Sequence, residues 1–226
     1  MRGRKMELIV ALDVDNLTQA EGLVDKLKGC VEYFKVGSRL FTAEGPAILD
    51  LLNRKSVKTF LDLKYHDIPS VIADALRNAA ARKVFAVSLH GSGGRQMLEM
   101  CRDAKPRPLL WAITVLTSFD QKNLREIGVE GDVPAQVDLL ARLARDTGMD
   151  GVVSSPQEIP VIKKIGGLQM IVPGIRTEID EQSDQKRTLT PARAKELGAD
   201  FIVCGRPIIK APEPLQVVER ILKEIK

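Results

Sequence analysis

Thr59-Phe60-Leu61-Asp62-Leu63-Lys64-Tyr65 is an apolar run broken by two charges. It leads through His66-Asp67 into an amphipathic stretch, Ile68–Lys83, and then a second apolar run, Val84–His90. Buried run, helical stretch and buried run make one strand–helix–strand unit of a parallel sheet. Outward from this unit the alternation repeats. Runs at Leu8–Val14, Tyr33–Val36, Leu109–Leu116, Gly151–Ser154, Met170–Val172 and Phe201–Cys204 are apolar on both alternating faces, as strands covered by helices must be. Helical stretches include Leu17–Lys28, Pro46–Arg54, Pro134–Thr147, Pro191–Leu197 and Pro214–Lys226. Pro134, Pro156, Pro191 and Pro214 stand at or near helix starts, and Gly29, Gly148 and Gly198 follow helices.

Eight such units without a linker or composition break predict an α/β fold, a single-domain (β/α)8 TIM barrel over residues 1–226. A doubly wound open sheet is the competing architecture, but no G-x-G-x-x-G follows the first strand. The chain, 44% hydrophobic and 28% charged over 226 residues, is too apolar for disorder. No apolar run approaches the roughly 20 residues of a membrane helix, and Glu7 and Asp13 interrupt the first run as no signal peptide would. The net charge of +4 is spread among acids, and at 4% aromatic content few rings are available to stack bases, which argues against a nucleic-acid partner. Cys30, Cys101 and Cys204 form neither a disulfide framework nor a metal pattern, which fits a reducing, cytoplasmic location.

In a barrel the chemistry sits on the loops after the strands' C-terminal ends, and here those ends are polar. Alternation puts Asp62 and Lys64 on one face of the third strand, directed into the barrel mouth, with Lys35 of the neighbouring strand within reach. Such a network is either a structural ion-pair cluster or a device that holds an ammonium where reaction charge develops. Arg176 after the seventh strand and Gly205-Arg206 after the eighth occupy the two positions where barrels hold phosphate. The long polar segment Ile175–Thr190 reads as a binding loop or lid at the mouth. His66 and His90 make a weak metal case, and they read instead as a packing or local hydrogen-bond residue and a turn contact. No metal site is expected.

Asp62-Leu63-Lys64-Tyr65-His66-Asp67-Ile68-Pro69 resembles the D-x-K-x-x-D signature of the orotidine 5′-monophosphate decarboxylase family. Further matches are Ala11-Leu12-Asp13, Phe34-Lys35-Val36-Gly37, Leu116-Thr117-Ser118, Pro173-Gly174-Ile175-Arg176, Asp184-Gln185-x-Arg187, Thr190-Pro191 and Gly205-Arg206-Pro207-Ile208. The resemblance runs through nearly the whole chain in order and is closest to the bacterial branch. The signature alone is shared with sugar-phosphate decarboxylases, and the later stretches narrow it. It implies cofactor-free decarboxylation of orotidine 5′-monophosphate to UMP by a homodimeric barrel of pyrimidine biosynthesis. It further implies a charged network of Lys35, Asp62, Lys64 and Asp67, with Lys64 the proton donor to C6 and Asp67 reaching the partner's active site. Substrate contacts implied are Asp13 and Lys35 at the ribose, Thr117 at the pyrimidine amide, and Arg176, Gln185, Gly205 and Arg206 at the phosphate end. Asp67 and Ile68 join them. One stretch departs from the pattern: Thr177, Glu178 and Ile179 stand where many members have a proline and a nearby glycine. Metal-dependent relatives would need an acid on the second strand, where this chain has Lys35.

Overall fold

The computed structural model describes residues 6–175 and 189–226. Eight parallel strands close into a barrel in chain order. They are β1 (Glu7–Ala11), β2 (Tyr33–Gly37), β3 (Lys58–Tyr65), β4 (Ala86–His90), β5 (Leu109–Ile113), β6 (Gly151–Val153), β7 (Gln169–Pro173) and β8 (Phe201–Cys204). β1 closes the ring by pairing with β8, Ile9 opposite Val203. The predicted barrel is therefore observed. Three strands stop earlier than their apolar runs: β1 ends at Ala11, and β5 and β6 end together at their last pair, Ile113 opposite Val153.

Apolar residues on both faces of each strand are explained by two distinct cores. Leu8 and Val10 of β1 and Ile202 and Cys204 of β8 point out to the helices, while Ile9, Ala11, Phe201 and Val203 point in. Helix Pro214–Ile225 shows the outer packing. It buries Val217, Val218, Ile221 and Ile225, at helical spacing, against helix Leu17–Leu27 and β1. Each such side chain contributes roughly 1.5–3 kcal/mol of burial. Helix starts are fixed by side chains that satisfy the free N–H groups of the first turn. Asn16, Asp132 and Thr190 accept from the amides of Gln19, Ala135 and Arg193.

The barrel interior has two layers. The lower one is aromatic: Trp111 lies edge-on to Phe60 (centroids 4.6 Å apart) and against Phe201 (5.1 Å), and Tyr33 and Phe85 continue the cluster. Trp111 is fully buried and donates its indole N–H to Gln169 at 3.1 Å. Below them the Lys58 ammonium sits over the Tyr33 ring and is held by Glu32. The upper layer, at the strands' C-terminal ends, is charged.

Candidate active site

β3 departs from a regular strand where its charges begin. Its register with β4 pairs Leu61 with Val87 and then Tyr65 with Leu89, so Asp62, Leu63 and Lys64 together face Ser88 alone. Lys64 takes up the excess with a left-handed backbone, φ +54°. For a residue with a Cβ that conformation costs roughly 1–2 kcal/mol. The Lys64 ammonium then reaches back to Asp62 Oδ2 at 2.9 Å. The other carboxylate oxygen of Asp62 accepts from the Ser88 hydroxyl at 2.7 Å, and the same hydroxyl accepts from the Lys64 backbone N–H at 3.0 Å.

A second ammonium closes on this acid from β2. Lys35 Nζ lies 3.6 Å from Asp62 Oδ2 and 3.1 Å from Asp13 Oδ1, in the loop after β1. The order is thus Asp13, Lys35, Asp62, Lys64, with charges alternating. The inner pair is nearly enclosed: the Lys35 and Asp62 side chains are 12% and 11% exposed, against 39% for Lys64 and 42% for Asp13. Burying a carboxylate is tolerated here because a hydroxyl and two ammonium groups surround it. Room for the array comes from glycine at two strand ends. A Cβ on Gly205 would meet Asp13 Oδ2 at 3.3 Å, and one on Gly37 would meet Lys35 Nζ at 2.9 Å.

These groups form one wall of a cavity of about 250 Å³ at the barrel mouth. Thr117 lines the side after β5, Gly205 and Arg206 the side after β8, and Ile113, Val153 and Val203 make an apolar floor. Such a mixture, an apolar cradle with a few convergent polar groups, is what a small-molecule site requires.

The predicted residues divide accordingly. Asp13, Lys35, Asp62, Lys64, Thr117, Gly205 and Arg206 meet at the cavity. Asp67 and Ile68 do not line it within one chain. Both are exposed, and the Asp67 carboxylate accepts from the Ile68 amide at 2.7 Å. Arg176, Gln185 and the Thr177–Ile179 departure lie outside the described residues. Of the described residues on either side, Ile175 and Leu189 form a parallel bridge, and Ile175 lines the cavity. Ser88 escaped the sequence reading. Its signal was a small polar residue on the inward alternation of an otherwise apolar strand. His66 is exposed rather than packed, its ring 5.5 Å from that of half-buried His90. Burial holds His90 below the ordinary imidazole range, reinforced by His66 and Lys64 and opposed by Asp62. Among the described residues, no group of three or more His, Cys, Asp or Glu side chains is gathered as a metal site, and no helix is long and apolar enough to cross a membrane.

A closed eightfold barrel with an alternating acid–ammonium array at its mouth defines a (β/α)8-barrel enzyme. Comparison with known proteins gives its particular kind. Residues 6–221 match the model of the "Orotidine 5'-phosphate decarboxylase / HUMPS family", and the chain belongs to that family. It is 44% identical to the orotidine 5'-phosphate decarboxylase of Trichlorobacter lovleyi, over 98% of this chain and 95% of that protein. To the one from Legionella pneumophila it is 45% identical, over 97% and 99%. The crystal structure of the Lactobacillus acidophilus orotidine 5'-phosphate decarboxylase superposes with a TM-score of 0.86 at 35% identity, covering 98% of this chain and 99% of that one. The family read from the sequence is therefore the family found.

Proposed function

We propose that this chain converts orotidine 5′-monophosphate to UMP and CO2 in pyrimidine biosynthesis, without a cofactor. The observation that carries the reading is the Lys35–Asp62–Lys64 array, two ammonium groups fixed on one nearly buried carboxylate beside an open cavity. Breaking the C6–carboxylate bond leaves its electron pair on C6, in an orbital the pyrimidine ring does not delocalise. A preorganised ammonium stabilises that charge with no reorganisation as it forms. Lys64 then transfers an Nζ proton to C6, and one proton taken up from bulk solvent returns the neutral amine to an ammonium. Asp62 orients Lys64, and Asp13 and Lys35 take the ribose. Thr117 takes the pyrimidine amide. Gly205 and Arg206 grip the phosphate, with Arg176 and Gln185 completing that end. Phosphate binding far from C6 supplies energy for positioning the ring.

The active unit in this reading is a homodimer in which Asp67 enters the partner's site and Ile68 accompanies it. Two exposed apolar side chains beside Asp67 support it: Ile68 is 64% exposed and Val71 48%. Three free thiols suit the cytoplasm.

The test is to mix EDTA-treated protein with orotidine 5′-monophosphate and follow the ultraviolet band of orotidylate. Loss of the band with UMP formation supports the reading. An unchanged band overturns it, and turnover regained only with added magnesium overturns its cofactor-free part.

A further inference from the structure

We propose that Ser88 is a positioning residue for the reaction at Lys64, one hydroxyl setting both the backbone turn that carries the ammonium and the carboxylate that holds it. The inference rests on the decarboxylase reading above.

Three residues of β3 oppose one residue of β4, so the Lys64 amide has left the regular ladder and needs another acceptor. Ser88 Oγ is that acceptor, at 3.0 Å. A serine hydroxyl has one proton and two lone pairs. With a lone pair committed to the Lys64 N–H, its proton goes to Asp62 Oδ1 at 2.7 Å. Ser88 is wholly enclosed, and Asp62 is only 8% exposed. Water therefore does not stand in readily for either bond.

Geometry makes this more than a satisfied core hydroxyl. Lys64 sits at φ +54°, a conformation that persists only where its surroundings over-determine it. One of those constraints is the Ser88 bond to its own amide. The other end of the side chain is held by Asp62 Oδ2, and the opposite oxygen of that carboxylate is tied to the same serine. Ser88 thus fixes the Lys64 chain at its root and, through Asp62, at its tip. Removing the hydroxyl frees both, while leaving charge and cavity lining as they were, because Ser88 is not among the residues that face the cavity.

The experiment compares wild type, Ser88→Ala and Ser88→Thr by steady-state decarboxylation and by NMR hydrogen exchange of the Lys64 amide. Misplacing a reacting group by about an ångström costs up to ~100-fold, so Ser88→Ala is expected to lower kcat by roughly 10- to 100-fold with KM within about threefold. Ser88→Thr keeps donor and acceptor, and should recover kcat to within about fivefold of wild type. Exchange at Lys64 should accelerate at least about tenfold in Ser88→Ala, but not in Ser88→Thr and not at core amides such as Val218. A kcat for Ser88→Ala within about twofold of wild type overturns the proposal. So does acceleration shared equally by all core amides, which marks a merely structural role. Should Ser88→Ala not fold, Ser88→Cys, similar in size and a weaker donor, is read by the same criteria. If wild-type protein leaves orotidylate untouched, the functional reading fails. The exchange data still decide whether Ser88 holds Lys64, so the two failures are told apart.

Discussion

A β-carbon placed on Gly37 would stand 2.9 Å from the ammonium nitrogen of Lys35 and 3.5 Å from Asp13 Oδ1. Gly37 has an ordinary backbone, φ −97°, so the absence of a side chain there serves space rather than conformation. Because the neighbour is the far end of a flexible side chain, the ammonium moves instead of the barrel. Gly37→Ala should therefore lower kcat/KM by about 10- to 100-fold while shifting stability by less than about 1 kcal/mol. Steady-state kinetics paired with urea unfolding measures both, and an unimpaired kcat/KM would show that Lys35 has no fixed task.

Lys64→Ala should reduce turnover by at least about 10⁴-fold, since in the proposed reaction one group both stabilises the carbanion and protonates it. Circular dichroism should still report a folded barrel. Lys64→Gly should be equally inactive yet about 1 kcal/mol more stable than Lys64→Ala, because glycine accepts φ +54° without penalty. Equal stability of the two variants would show that the backbone strain is relieved elsewhere.

Arg206 lies on the cavity wall after β8. Arg206→Ala should raise KM by about 100-fold and lower kcat by about tenfold, through lost phosphate binding and poorer positioning. An unchanged KM would remove Arg206 from the phosphate end.

Acid should weaken the fold partly through His90. Burial, aided by His66 and Lys64, depresses its pKa from 6.5. The unfolded chain therefore binds a proton that the native state resists. The contribution is complete above pH 6.5 and is lost as pH falls from there toward the depressed native value. His90→Gln should flatten this dependence. Urea midpoints for wild type and variant at about pH 7.5 and about pH 5.5 give the comparison, with the wild type losing more on acidification.

The barrel was legible because parallel strands covered on both sides are nearly continuous apolar runs, and their limits in the sequence fall within a few residues of those observed. Short helices such as Ser38–Glu44 and Gln121–Glu126 were not: six or seven residues hold too little periodicity unless a start and stop mark them, as Thr190-Pro191 and Gly198 mark the equally short Pro191–Leu197. At the site, strict alternation put Asp62 and Lys64 on one face. The pair does meet, but by another route: an irregular β3 and a left-handed lysine that no residue type announces. Ser88 went unread because its significance depends on that irregularity. Asp67 and Ile68, read from the resemblance as site residues, stay apart from the cavity in a single chain.

The aromatic layer of Phe60, Trp111 and Phe201 has a consequence for traffic. Trp111 and Phe60 are essentially sealed from solvent, and Lys58 stoppers the end beneath. The barrel is a vessel with a floor. In the proposed reaction, substrate, carbon dioxide and the proton that recharges Lys64 would then share one doorway, the mouth lined by Lys64, Thr117 and Arg206.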